Sequence, residues 1–361
     1  MRGFILLLFL ASKLSFGSEL KTFIIGHGDK GLGFGLISDR NDKVEIVANL
    51  HHVRMSIVKA KGISNIVDNG TRFIEEDKEV FLYDTREVKS WGLDRIDQRK
   101  GLDGFFGSDR TGEGVHAYVI DSGIRKDHYD FGGRIGLGYY TAGGSVDDCN
   151  GHGTHVAGTV AGYFSGIATR ATIHPVRVFG CNGSASISSI VRAMDWVIQN
   201  AEYPAVANLS LGGGTSTSMD SAIKRMALAG IIPVVAAGNS NADACGSSPA
   251  RSPYAITVGA TDKNDRRASY SNWGNCVDIH APGSNIVSSS YRSIDGLSSL
   301  SGTSMASPHV AGVVALYLQD FPDASYQQVV DDVIDAASTK NAVKGLGNAK
   351  NVFLYSAYPY E

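Results

Sequence analysis

Three things are scarce in this chain, and each scarcity excludes something. Charge of one sign is the first: 33 Lys and Arg stand against 36 Asp and Glu, for a formal net charge of −3. Charged residues make up 19% of the chain, below the usual quarter, and the basic ones are scattered. No electrostatic footprint for nucleic acid or an anionic membrane results. Long apolar runs are the second: no stretch approaches the ~20 residues that span a bilayer as a helix. Cysteine is the third, with four residues and no C-x-x-C pair. That spacing disfavours a thiolate metal site. Four cysteines suit disulfides in an exported protein and allow three pairings. No internal repeat or low-complexity tract is present.

What is present points to one large globular unit behind a leader. Hydrophobic residues at 43% are enough for a sizeable core, and 43 glycines suit many turns and backbone-lined clefts. Residues 1–17 read as a secretory signal peptide: Arg2 gives the positive start, Phe4 to Ala11 a short apolar core, and Ser15 and Gly17 small residues for cleavage. Residues 18–83 form a separate segment with β-like runs at Thr22 to Ile25, Lys43 to Ala48 and Arg54 to Ala60. Ile63 to Asp68 suits one or two helical turns, and Arg72 to Asp77, followed by Val80, another strand. From residue 84 to 361 strands and helices alternate. Strands are expected at Val115 to Ile120, Ile173 to Val178, Val206 to Leu211, Ile231 to Ala237 and Ile256 to Val258. Helices are expected at His152 to Ala161, Ile187 to Ala201 and Met219 to Ala229. Such alternation predicts an α/β fold, a parallel sheet covered on both faces, with its site at the strand C-terminal ends.

The stretch Leu300 to Gly312, L-S-G-T-S-M-A-S-P-H-V-A-G, sets one hydroxyl, Ser304, among small residues at the start of an apolar helical pattern. A serine needs a base and an orienting acid to act as a nucleophile. Candidates lie upstream. His152 sits between glycines in N-G-H-G-T-H-V-A-G, and Asp121 ends the apolar run of V-I-D-S-G. Taken singly, a helix-capping serine, a core histidine and a turn aspartate explain them as well.

Together, V-I-D-S-G, N-G-H-G-T-H-V-A-G and G-T-S-M-A-S-P resemble the subtilisin family of serine proteases, in its proteinase K and aqualysin branch, from about Trp91 to the C-terminus. The Asp, His, Ser chain order is that family's own. The resemblance implies a three-layer α/β/α fold and a catalytic triad of Asp121, His152 and Ser304. It makes Asn239, in A-A-G-N, the oxyanion donor. Ser210, Leu211, Gly212, Gly213 and Gly214, with Ala236, Ala237 and Gly238, become walls of the substrate pocket, and Gly183, Ser184 and Ala185 the opposite substrate-binding strand. These walls carry no charge, which favours apolar or aromatic side chains before the scissile bond. Disulfides Cys149–Cys181 and Cys245–Cys276 are implied, as is structural Ca²⁺ on Pro253, Ala255 and Asp278. Residues 18–83 become a small α+β inhibitory propeptide, with cleavage near Tyr83-Asp84 ahead of the mature-like start Trp91 to Ile96. One departure is the glycine density of Gly26, Gly28, Gly31, Gly33 and Gly35, where the family has its first helix. A secreted, self-processing monomeric endopeptidase acting on polypeptides is expected, without nucleic-acid partners or a membrane span. A catalytically silent binder of the same shape is the competing class. Sequons start at Asn69, Asn182 and Asn208, the last in a strand and so unsuited to glycosylation.

Overall fold

The computed structural model describes residues 20–27, 44–50, 55–61, 71–77, 84–346 and 348–356. The leader at 1–17, the helical turn at 63–68, Asn69, Val80 and Tyr83 lie outside them. The chain divides into two compact units, 1–81 and 82–361.

In the first unit, β1 (Lys21–His27), β2 (Val44–Leu50), β3 (Met55–Ala60) and β4 (Thr71–Glu76) form an antiparallel sheet in the order β2-β3-β1-β4. Alternation puts one face of each central strand inside. Phe23 lies opposite Val58, and Ile25 opposite Ile74. Phe23, Ile25, Val58 and Ala60 make a small core with Val44 and Ile74 against it. Gly26 belongs to β1 rather than to a helix, and Phe73 explains the residue: a Cβ there would stand 2.2 Å from its ring.

The second unit begins with the antiparallel pair β5 (Asp84–Glu87) and β6 (Phe105–Ser108). Then follow β7 (His116–Asp121), β8 (Tyr139–Tyr140), β9 (Thr172–Arg177), β10 (Ala205–Leu209), β11 (Gly213–Gly214) and β12 (Ile231–Ala236). After β13 (Ser247–Ser248) come β14 (Ile256–Thr261), β15 (Ile279–Pro282), β16 (Ile286–Ser289) and β17 (Leu297–Leu300). The last two strands are β18 (Thr339–Lys340) and β19 (Val352–Phe353). Nine of these make one sheet, β18-β19-β15-β14-β12-β10-β7-β9-β8, parallel except where β18 meets β19.

Helices α1 (Trp91–Ile96), α2 (His152–Ala161), α3 (Ile187–Asn200), α4 (Thr217–Leu228), α5 (Thr303–Asp320) and α6 (Tyr326–Val329) complete the frame. The sheet is buried on both faces because its strands are apolar at odd and even positions alike. Along β7, Ala117 and Val119 join the core beneath α2 and α5, while Tyr118 and Ile120 join the one beneath α3 and α4. On β12, Ile232 and Val234 face the first core, Ile231 and Val235 the second. The result is the three-layer α/β/α arrangement.

A fully buried valine or isoleucine contributes about 1.5–3 kcal/mol. An exposed ion pair such as Arg170–Glu113, at 60% and 58% side-chain exposure, belongs to a class worth about 0–1 kcal/mol. The two apolar layers therefore hold the sheet. Strands β12 and β10 stop earlier than expected: β12 ends at Ala236, and β10 ends at Leu209, with Ser210 and Leu211 turned out of the ladder.

Candidate active site

Asp121, His152 and Ser304 stand at element ends for local reasons. Asp121 is the last residue of β7, and His152 the first of α2. The N-cap of α2 is Gly151, at φ 105°, a left-handed conformation that favours glycine. A Cβ there would also meet the Tyr291 ring at 2.4 Å. In place of a capping side chain at Gly151, the Asp148 carboxylate accepts from the backbone N–H groups of Asn150 (2.9 Å), Gly151 (2.8 Å) and Thr154 (2.9 Å). A negative charge suits a helix N-terminus. Sequence reasoning missed Asp148; an aspartate shortly before the glycine-flanked histidine was its only local signal.

Asp121 is fully buried and accepts from the Ser122 N–H at 2.7 Å. His152 donates through Nδ1 to both Asp121 carboxylate oxygens, at 2.8 and 3.0 Å, so its Nε2 is the open nitrogen. Burial alone would lower the His152 pKa. The Asp121 charge and hydrogen bond, helped by the Asp148 charge, outweigh it and hold the pKa above the ordinary imidazole value.

Ser304 is the second residue of α5. Pro308, inside that helix, has no N–H to give the Ser304 carbonyl four residues earlier. Ser210 supplies the donor, its Oγ reaching that carbonyl at 2.8 Å. The Ser304 hydroxyl in turn donates to the Ser210 carbonyl at 3.3 Å, a long bond for O–H···O and easily exchanged. Leaving the β10 ladder is what lets Ser210 make this exchange. Among the described residues, no hydrogen bond joins His152 to Ser304.

Asn239 follows β12. Its Oδ1 accepts from Thr303 N–H (2.8 Å) and Thr303 Oγ1 (2.9 Å), and Thr303 Oγ1 accepts from Gly238 N–H (3.0 Å). With Oδ1 committed, the Nδ2 donors are what Asn239 has to offer. A cleft of about 370 Å³ is lined by Gly183, Ser210, Leu211, Gly212, Gly213, Ala236, Ala237, Gly238, Asn239 and Ser304. Ser184, Ala185 and Gly214, also expected there, are not in its lining; Gly214 pairs with Ser247 across the short β11–β13 ladder. Asn272, Thr303 and Phe179 line the cleft without having been singled out. Asn272 ties the Asn239 loop down, donating to the Ala237 carbonyl and accepting from Ser240 and Ala242 N–H. No lining residue is ionisable.

Cys149 is bonded to Cys181, and Cys245 to Cys276. Arg177 donates to Cys149 Sγ at 2.9 Å and to the Asp147 carbonyl at 2.7 Å, fixing the loop that precedes His152. Asn208 is buried in β10, while Asn182 is exposed.

The residues named for calcium offer oxygen donors only. Asp278 Oδ2 accepts from Thr257 N–H at 2.9 Å, and burial pushes this carboxyl up to about 6, only partly offset by that bond and by Lys350. Tyr326 lies near two of the three: its hydroxyl is 3.5 Å from the Pro253 carbonyl, and its pKa is pushed up by burial and by the Asp278 charge. A desolvated carboxylate with few hydrogen-bond donors is the kind of oxygen ligand a hard cation takes.

Residues 112–352 match the model of the subtilase family, peptidase S8. An extracellular serine proteinase of Thermus sp. (strain Rt41A) is 50% identical over 328 residues, 90% of this chain and 80% of that protein. Alkaline serine exoprotease A of Vibrio alginolyticus is 50% identical over 269 residues, 74% of this chain and 50% of that protein. The crystal structure of a cold-adapted subtilisin-like serine proteinase superposes with a TM-score of 0.73 at 48% identity, over 76% of this chain and 100% of that one. Among the described residues, no helix is long and apolar enough to cross a membrane.

Proposed function

The chain belongs to the subtilase family and is a serine endopeptidase, and on that premise we propose that Asp121, His152 and Ser304 carry its chemistry. His152 Nε2 takes the Ser304 proton as Oγ attacks the scissile carbonyl carbon, then passes it to the departing amine. Water hydrolyses the acyl-enzyme by the same route. Asp121 holds the imidazole tautomer and stabilises the imidazolium. The observation that carries this reading is the Nδ1–Asp121 contact at 2.8 Å, which leaves Nε2 free as the base. The His152–Ser304 bond belongs to the substrate complex, since catalytic hydrogen bonds often tighten only there.

Asn239 Nδ2 and the Ser304 backbone N–H receive the oxyanion, and the Thr303 bonds to Oδ1 support that orientation. In subtilisin, loss of the corresponding asparagine is known to cost about 10²–10³ in kcat. The uncharged cleft supports apolar or aromatic residues before the scissile bond. Residues 1–17 direct export, and residues 18–83 are a propeptide removed near Tyr83-Asp84 by the enzyme's first turnover, releasing a secreted monomer. Pro253, Ala255 and Asp278 would hold Ca²⁺, which supplies folded-state stability and no catalytic step.

Ser304→Ala tests the whole reading. In a host without other proteases, wild type should yield a shortened chain beginning between about Leu82 and Val88, labelled at Ser304 by a fluorophosphonate. The variant should keep residues 18–83, take no label and lose about 10⁶ in kcat, the loss known for subtilisin. A variant that matures and cleaves peptides normally overturns the triad. Excess chelator should lower the Tm of the Ser304→Ala protein; an unchanged Tm removes the calcium assignment.

A further inference from the structure

At the end of β7 away from Asp121, three metal-ligating side chains from different segments converge. His116 opens β7, His174 lies in β9, and Glu202 sits just before β10. Their ligand atoms all fall within 4.8 Å of one another. His116 Nδ1 is 2.9 Å from His174 Nε2 and 3.9 Å from Glu202 Oε1.

The surroundings orient these groups. His174 is buried, and its Nδ1 lies 2.9 Å from the Leu137 carbonyl, so that nitrogen carries the hydrogen. Its Nε2 is therefore a bare lone pair aimed at His116, the arrangement in which metal-ligating histidines are held by an outer carbonyl. The Tyr118 ring stacks on His174 with centroids 4.3 Å apart, and the Tyr118 hydroxyl accepts from the Glu202 N–H at 2.8 Å. One tyrosine thus fixes both the inner histidine and the carboxylate's backbone. Gly136 closes the other side, where a Cβ would stand 2.5 Å from the His174 ring.

We propose that His116, His174 and Glu202 form a binding site for a zinc-class divalent ion that clips the starts of β7, β9 and β10 together. Two imidazole nitrogens and one carboxylate suit Zn²⁺, with water in the fourth position, and do not suit Ca²⁺, which takes oxygen. Without an ion, His116 Nδ1–H donates to His174 Nε2. The ion takes that proton's place, and His116 carries its proton on Nε2 instead. Tetrahedral zinc sets two nitrogens about 3.3 Å apart, so the rings need to part by roughly half an ångström. His116 and Glu202, at 17% and 62% side-chain exposure, have room to move, while His174 is held. Five residues of strand, about 16 Å, separate His116 from Asp121, so the ion acts on stability and not on the cleft.

The test is a zinc chloride titration of the full chain carrying Ser304→Ala, which prevents self-digestion, in calcium-containing buffer. Calorimetry and thermal melting are read in parallel. One equivalent of zinc should bind and raise Tm increasingly with concentration. Adding His116→Ala or Glu202→Gln should each weaken zinc binding at least tenfold and shrink the Tm rise. His152→Ala should leave both unchanged, and cobalt in zinc's place should give a tetrahedral ligand-field spectrum that His116→Ala abolishes. The proposal is overturned if His116→Ala and Glu202→Gln both bind zinc as the parent does, or if His152→Ala alone removes the binding. The Glu202 side chain is exposed, and Glu202→Gln keeps the backbone bond to Tyr118, so this variant keeps the test valid if His116→Ala misfolds.

Discussion

Strand β7 has a histidine beside a carboxylate at each of its ends, and the two carboxylates differ in how far they prevail over burial. At the C-terminal end Asp121 is fully buried and bonded to His152 Nδ1, and the His152 pKa is held up despite burial. At the N-terminal end Glu202 is 62% exposed and stands 3.9 Å from His116. There, burial pulls the His174 pKa down; the Leu137 carbonyl and Glu202 oppose it too weakly to prevail. A carboxylate acts most strongly on a neighbouring imidazole when it is itself desolvated and in hydrogen-bond contact. One end of the strand is therefore suited to making a base, the other to presenting neutral nitrogen ligands.

Breaking each carboxylate separates the two roles, with the largest effect expected at the buried one. Asp121→Asn should lower kcat by about 10⁴, as subtilisin's loss of its aspartate does, because the imidazole loses both its tautomer lock and its counter-charge. Glu202→Gln, assayed without zinc, should leave kcat within twofold. Peptide-hydrolysis kinetics on both variants decide the matter: comparable losses would mean that the two ends of β7 are not functionally distinct.

The asymmetry also shows what a sequence displays and what it hides. The candidate triad of Asp121, His152 and Ser304 could be picked out because each sits in a short motif whose glycines and small residues are themselves local requirements, as Gly151 shows. The parallel sheet was legible from apolar runs alternating with amphipathic ones. Asp148, Thr303 and Asn272 were not, since their work is to bond backbone groups in loops, for the last two a loop distant in the chain. Ser210 was assigned to a pocket wall, but its bond to the Ser304 carbonyl depends on Pro308, 98 positions later, an effect visible only when both are in place. His116, His174 and Glu202 meet only through the register of β7 against β9 and β10. Gly26, the first of the glycines that opposed a helix, is strand, within β1; Gly28, Gly31, Gly33 and Gly35 lie outside the described residues.

Three other histidines sharpen the comparison, because burial acts on them without a bonded carboxylate. His155, His280 and His309 are each pushed down to about 4 by burial. Their folded pKa values lie below the unfolded value near 6.5, so the neutral forms favour the fold above that pH. The stability they allow is then lost as pH falls from 6.5 through 4. A downward shift of this size corresponds to at most roughly 3 kcal/mol per group. Denaturant unfolding of the Ser304→Ala protein should show stability falling steeply across that window, with proton uptake approaching three on unfolding. A flat profile between pH 6.5 and 4 would contradict the neutral burial of these rings.

The smallest effect concerns Asp148, whose charge acts on His152 without touching the ring. It is the last and weakest of the influences that raise the His152 pKa, behind the Asp121 charge and hydrogen bond. Asp148→Asn removes that charge and keeps one acceptor oxygen, so the bonds from the Asn150 and Gly151 N–H groups can persist while the one from Thr154 N–H to the other oxygen is lost. Protonated His152 is then less favoured, so the acid limb of the kcat/KM–pH profile should move to lower pH. The plateau at high pH should stay near wild type, because Asp121 still holds Nδ1. Asp148→Ala adds loss of the cap, and should show the same acid-limb displacement together with a lower Tm. The comparison of the two variants separates charge from capping. An acid limb that stays in place in both would mean that Asp121 alone sets the base, and that Asp148 serves only the turn into α2.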